Sequence, residues 1–414
     1  MRISQLLLAF AALALVLIVF VRAASSTVRG GAAGGGRFAG AGLDGPVDQG
    51  GLLAAVRRTE LAEARAVAAE ARAAAAEARA AQPTAVAVAA GADGGSAAGR
   101  LALGKPDDTE TNRKLRAALS AAANSRGEVM LALTNDVMMC TNRKTCWWSG
   151  GNILETFLQQ ARRIGLTNYL IVTLDDETER FCRGFGGVPS LRLELPVPSA
   201  QQNSRGANMI STLKYGLLKQ ALLMGFSILI VDLDLVFLKD PFAHLYRDAD
   251  IEASTDAFSA GWAQGQMQSI HEPKMGWGAG GLFIQHFTLN VGCAFIRPTP
   301  RAVQLMERVA DRLSRAAAWD QEVFNREAFL LSHGAYNGTG VAVRVMRYDE
   351  FMNSKVFFFS DRRRYFPGKH TEPRDMPVMI HFNYHPDKHK RMLCVIDRYV
   401  HNNPSACDSL PAAG

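Results

Sequence analysis

The feature that most restricts this chain is the segment Ile228-Leu-Ile-Val-Asp-Leu-Asp-Leu-Val-Phe-Leu-Lys-Asp-Pro241. Apolar residues run without interruption into Asp232, the pattern of a strand buried on both faces of a sheet. Such a strand needs helices over it, which implies an α/β architecture. Alternation along extended backbone puts the Asp232 and Asp234 side chains on one side of the chain as it leaves the sheet. Two carboxylates that close repel, and burial sharpens the conflict. A hard divalent cation resolves it. Mg²⁺ or Mn²⁺ is typically held by one or two carboxylates together with substrate phosphates.

The surrounding pattern agrees with that architecture. Apolar runs predict strands over 129–134, 169–174, 227–231, 290–296 and 378–381. Helical spacing predicts helices over 153–164, 209–224, 301–313 and 321–331, the second closed by Gly225. Strands alternating with helices imply a mostly parallel sheet flanked by helices, with ligands bound at the carboxyl ends of the strands. Three early strands end in Asn135-Asp136, Asp175-Asp176 and Asp232-Leu233-Asp234, so their tips are acidic and polar.

The N-terminal region has another character. Residues 6–21 are wholly apolar, between Arg2 and Arg22. Sixteen helical residues rise about 24 Å, short of a ~30 Å hydrocarbon core. Two readings stand: a signal peptide cleaved near Ala23-Ala24-Ser25, or a short signal-anchor for a thin internal membrane. Either directs the chain to the secretory pathway. The anchor, residues 1–24, is preferred because an Ala/Gly-rich stem, 25–106, follows it. Within the stem, Glu63-Ala-Arg65, Glu70-Ala-Arg72 and Glu77-Ala-Arg79 repeat every seven residues and predict a helix over 52–82. Its heptad seam is mostly alanine, enough for weak self-association at most. The folded domain is expected over 107–414, on the luminal side, where Asn337-Gly338-Thr339 fits the pattern of a glycosylation acceptor. The net charge is +7, without a dense Lys/Arg block, which argues against a nucleic-acid partner. Six cysteines include no CxxC pair. Cys140 and Cys146 are close enough in sequence to form a disulfide. Cys182, Cys394 and Cys407 are open for pairing, and Cys293 reads as a packed thiol.

Four segments together carry a family resemblance. Residues 228–241 resemble the DxD segment of nucleotide-diphosphosugar transferases with the GT-A fold. Leu289-Asn-Val-Gly-Cys-Ala-Phe-Ile-Arg-Pro-Thr-Pro-Arg301 resembles their strand-to-helix element with Asn-x-Gly. Trp319-Asp-Gln-Glu-Val-Phe-Asn325 resembles their Asp-Gln helix start, and His381-Phe-Asn-Tyr-His-Pro-Asp-Lys388 their C-terminal His motif. In this order they resemble glycosyltransferase family 77, which includes plant and algal cell-wall arabinosyl-, xylosyl- and galactosyltransferases. The resemblance implies a GT-A, Rossmann-like fold and a type II Golgi membrane protein with a luminal catalytic domain. It also implies a UDP-sugar donor, a cell-wall glycan or glycoprotein acceptor, and retention of anomeric configuration.

The residues take roles accordingly. Asp232, Asp234 and His381 would hold Mn²⁺ or Mg²⁺, His381 being chosen over His385 because it ends a strand. Lys388 and, more weakly, Lys214 would meet phosphate as point charges. Thr134, Asn135 and Asp136 stand where a GT-A fold receives the nucleotide base; Asp175 and Asp176 do likewise or cap a turn. Asn290 would orient sugar hydroxyls, and Gly292 would permit close backbone approach. Asp320, Gln321 and Asp256 are the catalytic candidates facing the sugar, with Asp320 also reading as an N-cap. Trp262 and Trp277, in the glycine-rich stretch 259–281, could stack on sugars or pack locally. Two rival readings remain: a haloacid-dehalogenase-type phosphatase with Asp232 as nucleophile, and a non-catalytic sugar-binding relative.

Overall fold

The computed structural model describes residues 103–142, 146, 148, 150–202, 206–259, 263, 266–269, 282–285, 289–360 and 376–411. The expected anchor and stem, Trp262 and Trp277 lie outside the described residues. Among those described, no helix is long and apolar enough to cross a membrane.

In chain order the elements are α1 (Glu110–Ala122), β1 (Glu128–Thr134), α2 (Ile153–Arg163), β2 (Tyr169–Thr173), α3 (Asp176–Gly184), β3 (Ser190–Arg192), α4 (Gly206–Leu223) and β4 (Ser227–Val231). There follow β5 (Leu235–Phe237), β6 (Ile251–Thr255), β7 (Gln266–Ser269), β8 (Leu282–Gln285), β9 (Leu289–Ile296), α5 (Pro300–Arg315) and α6 (Asp320–Phe329). The last are β10 (Val343–Val345), β11 (Phe351–Asn353), β12 (Met379–His381) and α7 (Lys388–Tyr399). Local chemistry sets several starts. Thr109, Asn152 and Thr299 each accept a backbone N–H in the first turn of the helix they precede. Gly225, at φ +92°, closes α4 in a backbone region glycine enters without penalty.

The main sheet has the order β10-β6-β9-β4-β1-β2-β3. Strands β3, β2, β1 and β4 are parallel, and β10 runs parallel to β6; β9 lies antiparallel between β4 and β6. Alternate residues of each strand feed two apolar layers. Val129, Leu131, Ile228 and Ile230 pack with Leu119, Leu218, Leu305 and Phe324 from α1, α4, α5 and α6. Met130, Leu229 and Val231 pack on the other face with Phe157 of α2, Val395 of α7 and Phe237 of β5. This is an α/β fold with a mostly parallel central sheet flanked by helices.

A second sheet of order β11-β12-β5 grows directly out of the first. Asp232-Leu233-Asp234 is the joint, with Leu233 only 2% exposed, a wedge into the core between the two acids. The antiparallel β9 and the second sheet are the chief departures from the sequence expectation. Both depend on long-range pairing that apolar periodicity does not encode. Helices α1, α3 and α7 were also unanticipated. Of α3, only Thr178, Glu179 and Cys182 are buried, a face without the large apolar residues whose spacing marks a helix in the sequence. Disulfides join Cys140 to Cys146 and Cys394 to Cys407; Cys182 and Cys293 are free and buried.

Candidate active site

Three strands bring the acidic joint and the late histidine together. Pairing of β4 with β9 continues to Val231↔Cys293, and the Asp232 N–H then donates to the Gly292 carbonyl at 2.8 Å. Strand β5 turns onto β12, placing His381 opposite Leu235, and the Phe382 N–H donates to the Asp234 carbonyl at 2.8 Å. His381 Nε2 thus lies 3.2 Å from Asp234 Oδ1 and 3.8 Å from Asp232 Oδ2. One ligand atom from each of the three falls within 4.8 Å of the others. Asp234 and His381 are buried, whereas the Asp232 side chain is 46% exposed, so the cluster opens to the outside through Asp232. Two hard carboxylate oxygens and one imidazole nitrogen form a donor set suited to a divalent cation such as Mn²⁺ or Mg²⁺.

Gly292 makes this convergence possible. A Cβ there would sit 2.5 Å from His381 Cε1 and 2.6 Å from Asp232 Oδ2. Lys388, the first residue of α7, donates from Nζ to Asp234 Oδ2 at 2.5 Å. Burial alone would raise the Asp234 pKa, but Lys388 and His381 outweigh it and hold the carboxyl well below its usual range. Burial alone would lower His381, but Asp234 and then Asp232 hold the imidazole above its ordinary value.

A second cluster centres on Asp256, just past β6. Asn290 Nδ2 donates to its Oδ1 at 2.7 Å, Asn383 Nδ2 to Oδ1 at 3.0 Å, and Gln321 Nε2 to Oδ2 at 2.7 Å. The Tyr384 hydroxyl also bonds to Asp256, and burial followed by this carboxylate raises the phenol pKa. Asn290 Oδ1 accepts the Gly292 N–H at 2.8 Å, which ties this cluster to the first. Sequence reasoning missed Asn383 and Tyr384, although both lie inside the C-terminal His motif it singled out. Tyr384 carries φ +72°, a strained backbone for a residue with a side chain.

A third cluster corrects one expectation. Asp320 does not cap α6: Trp319 holds the cap position without a side-chain bond, and Asp320 is the first helical residue. Its carboxylate is committed to Lys214 Nζ at 2.9 Å and to the Tyr215 hydroxyl at 2.9 Å. All three are buried. Burial alone would lower the Lys214 pKa, but Asp320 and Asp232 together hold the ammonium above its ordinary value. Lys214 is thus paired with Asp320, while its field reaches the acidic joint.

The other strand tips differ. Asp175 caps α3, accepting from Thr178 N at 2.7 Å and Thr178 Oγ1 at 2.8 Å, and also takes the Asp136 N–H at 2.8 Å. Asp176 lies on Arg192 at 2.9 Å. Thr134 donates to the Asn135 carbonyl at 3.2 Å. Asn135 Oδ1 is buried and has no hydrogen-bond partner among the described residues, an acceptor whose desolvation is uncompensated. His385 lies apart from the acids, buried against Phe358 with ring centroids 5.9 Å apart.

Residues 164–393 match the family described as nucleotide-diphospho-sugar transferase. Two curated Arabidopsis thaliana proteins are similar to this chain. Arabinosyltransferase RRA2 is 37% identical over 307 residues, 74% of this chain and 67% of that protein. Arabinosyltransferase RRA1 is 34% identical over 304 residues, 73% of this chain and 71% of that protein. Among solved structures, the galactosyltransferase LgtC with donor and acceptor sugar analogs overlaps 66% of this chain and 96% of its own, at a TM-score of 0.37 and 15% identity.

Proposed function

Because the chain belongs to the nucleotide-diphospho-sugar transferase family, we propose that it transfers a pentose or galactose-class sugar from UDP to a cell-wall glycan or glycoprotein. Arabinose is the first sugar to test, since both curated relatives are named arabinosyltransferases. The observation that carries the reading is the convergence of Asp232, Asp234 and His381 at the carboxyl ends of the parallel strands. These three would hold Mn²⁺ or Mg²⁺. Bound there, the ion would supply Lewis-acid stabilisation of the charge that grows on the departing diphosphate.

The chain's own residues would do the rest. Lys388, on Asp234, stands beside the ligand oxygens and is placed to meet a phosphate as a point charge. Asn135 offers its unpartnered Oδ1 to a nucleobase N–H at the tip of β1. Asn290, Gln321, Asn383 and Tyr384 are held by Asp256, so their outward atoms present fixed positions to a sugar. Retention admits a double displacement or a same-face attack assisted by the leaving diphosphate. Asp256 accepts four donors and Asp320 is paired with Lys214, which leaves neither a free nucleophile. That commitment favours the same-face route. Two disulfides accord with an oxidising, luminal compartment, which the type II Golgi reading of the sequence requires. The family membership displaces the phosphatase reading of Asp232.

The test is release of UDP by the purified chain from a panel of UDP-sugars, with Mn²⁺ and with EDTA, beside an Asp232→Ala/Asp234→Ala variant. Metal-dependent release from one sugar, lost in the variant, identifies the donor. If no sugar is turned over, and UDP with Mn²⁺ leaves the melting temperature unchanged, the proposal fails.

A further inference from the structure

The loop between α6 and β10 carries Asn337-Gly338-Thr339, the sequon, and it sits far from the catalytic mouth. Helix α6 starts at the site with Asp320 and Gln321, and its ten residues run about 15 Å away from it. Strand β10 is parallel to β6, with Val343 opposite Ile251. Since β6 delivers Asp256 to the site at its far end, the chain entering β10 lies at the opposite end of these two strands. The Ala342 N–H donates to Asp250 Oδ2 at 2.8 Å there, just ahead of β6.

The loop's own contacts turn Asn337 outward. The Gly338 N–H donates to Ser332 Oγ at 2.9 Å, and a Cβ at 338 would meet the Leu330 carbonyl oxygen at 2.6 Å. Thr339 is buried, with its hydroxyl donating to the Glu327 carbonyl at 3.1 Å. Arg308 donates to the Asn337 carbonyl, and the Asn337 residue is exposed. Beside it the same turn displays Leu330, 40% exposed, and Leu331, 81% exposed, the most exposed large apolar side chain among the described residues. Two adjacent leucines in water, against the backbone that seats Gly338, form an apolar patch without a cover among the described residues.

We infer that Asn337 carries an N-linked glycan that shields the Leu330–Leu331 patch, on a face remote from sugar transfer. The inference rests on the luminal reading proposed above. The step joins sugar C1 to Asn337 Nδ2 and breaks the C1–O bond of a lipid-linked oligosaccharyl diphosphate. The lipid diphosphate departs with the electron pair, and the amide proton passes to base. In the folded chain the Thr339 hydroxyl is engaged by Glu327, so modification precedes closure of this loop.

The experiment expresses the full chain in eukaryotic cells with a second sequon appended on a flexible C-terminal tag. Glycopeptide mass spectrometry is then run before and after an amide-cleaving glycosidase. Modification of both tag and Asn337 is expected, with the Asn337 signal lost in Asn337→Gln and Thr339→Ala. Donor turnover is unchanged in Asn337→Gln, while the monodisperse fraction of the detergent-extracted chain falls several-fold and is restored by Leu331→Lys. A modified tag with an unmodified Asn337 overturns the site and leaves the compartment standing. If neither is modified, the compartment reading falls and takes the site with it. Modification without any change in the monodisperse fraction in Asn337→Gln overturns the shielding role.

Discussion

Two strand tips look alike in sequence and differ completely in the folded chain. Strand β2 runs into Leu174-Asp175-Asp176, and β4 runs into Asp232-Leu233-Asp234. At β2 the next element is a helix, so Asp175 turns back to satisfy the first-turn N–H of α3 and spends its oxygens on backbone and Thr178. At β4 the next element is another strand. The chain bends through Leu233 and Asp234 into β5, and β12 brings an imidazole against both acids. An acid at a strand tip thus becomes a helix cap or part of a carboxylate–imidazole cluster according to the next element in the chain and the strand paired across from it.

The comparison breaks most visibly at Asp232. Asp232→Asn keeps the size of a side chain that is 46% exposed, so folding should survive. Donor turnover should fall by about 10³-fold, the scale of losing one preorganised electrostatic contact in a closed site. The UDP-plus-Mn²⁺ rise in melting temperature should vanish with it. Turnover within tenfold of the parent would remove Asp232 from the metal site.

Asp320 comes next. Asp320→Asn leaves the Lys214 ammonium buried without its carboxylate, a loss of about 3–5 kcal/mol in denaturant unfolding. The double change Lys214→Met/Asp320→Leu removes both charges and should recover most of that stability without recovering turnover. Recovery of turnover would make the pair purely structural. Smaller again is Gly292→Ala. Its Cβ must displace the His381 ring and Asp232, at about 1–3 kcal/mol, with the nucleotide–metal response lost beyond the share that the stability change explains. An intact response would show that His381 can move aside and is not needed as a ligand.

Legibility in the sequence divides along the same line. The apolar run into Asp232 announced a buried strand, and its alternation announced two acids on one side. Both are local properties of consecutive residues. That Gly292 allows close approach could be suspected from Asn-x-Gly, because only a missing side chain explains a glycine inside a buried strand. The hub role of Asp256 was not legible. Its donors come from β9, α6 and the chain after β12, and nothing in their spacing records that β9 inserts antiparallel beside β6. Asp320 misled for the opposite reason. A carboxylate at a helix start has a ready local explanation, and only the packing of α4 against α6 reveals Lys214 and Tyr215 as its partners.

The β2 tip supplies the smallest effects and the sharpest contrast. Asp175→Ala removes the cap of α3 and one acceptor for the Asp136 N–H, which should cost about 1–2 kcal/mol. Because Asp136 lies just past the tip of β1, the donor KM should rise a few-fold with kcat unchanged. Asp176→Ala removes only a carboxylate that is 85% exposed, on an arginine at the sheet edge. Such pairs are worth about 0–1 kcal/mol, and the helix start loses one favourable charge of similar size. Its urea midpoint should shift barely measurably, and less in high salt than in low, since both contributions are screened. A large kcat loss from either change, with stability held, would mean that the β2 tip also reaches the reacting groups. The rule that the next element decides between cap and reactive cluster would then fail for this fold.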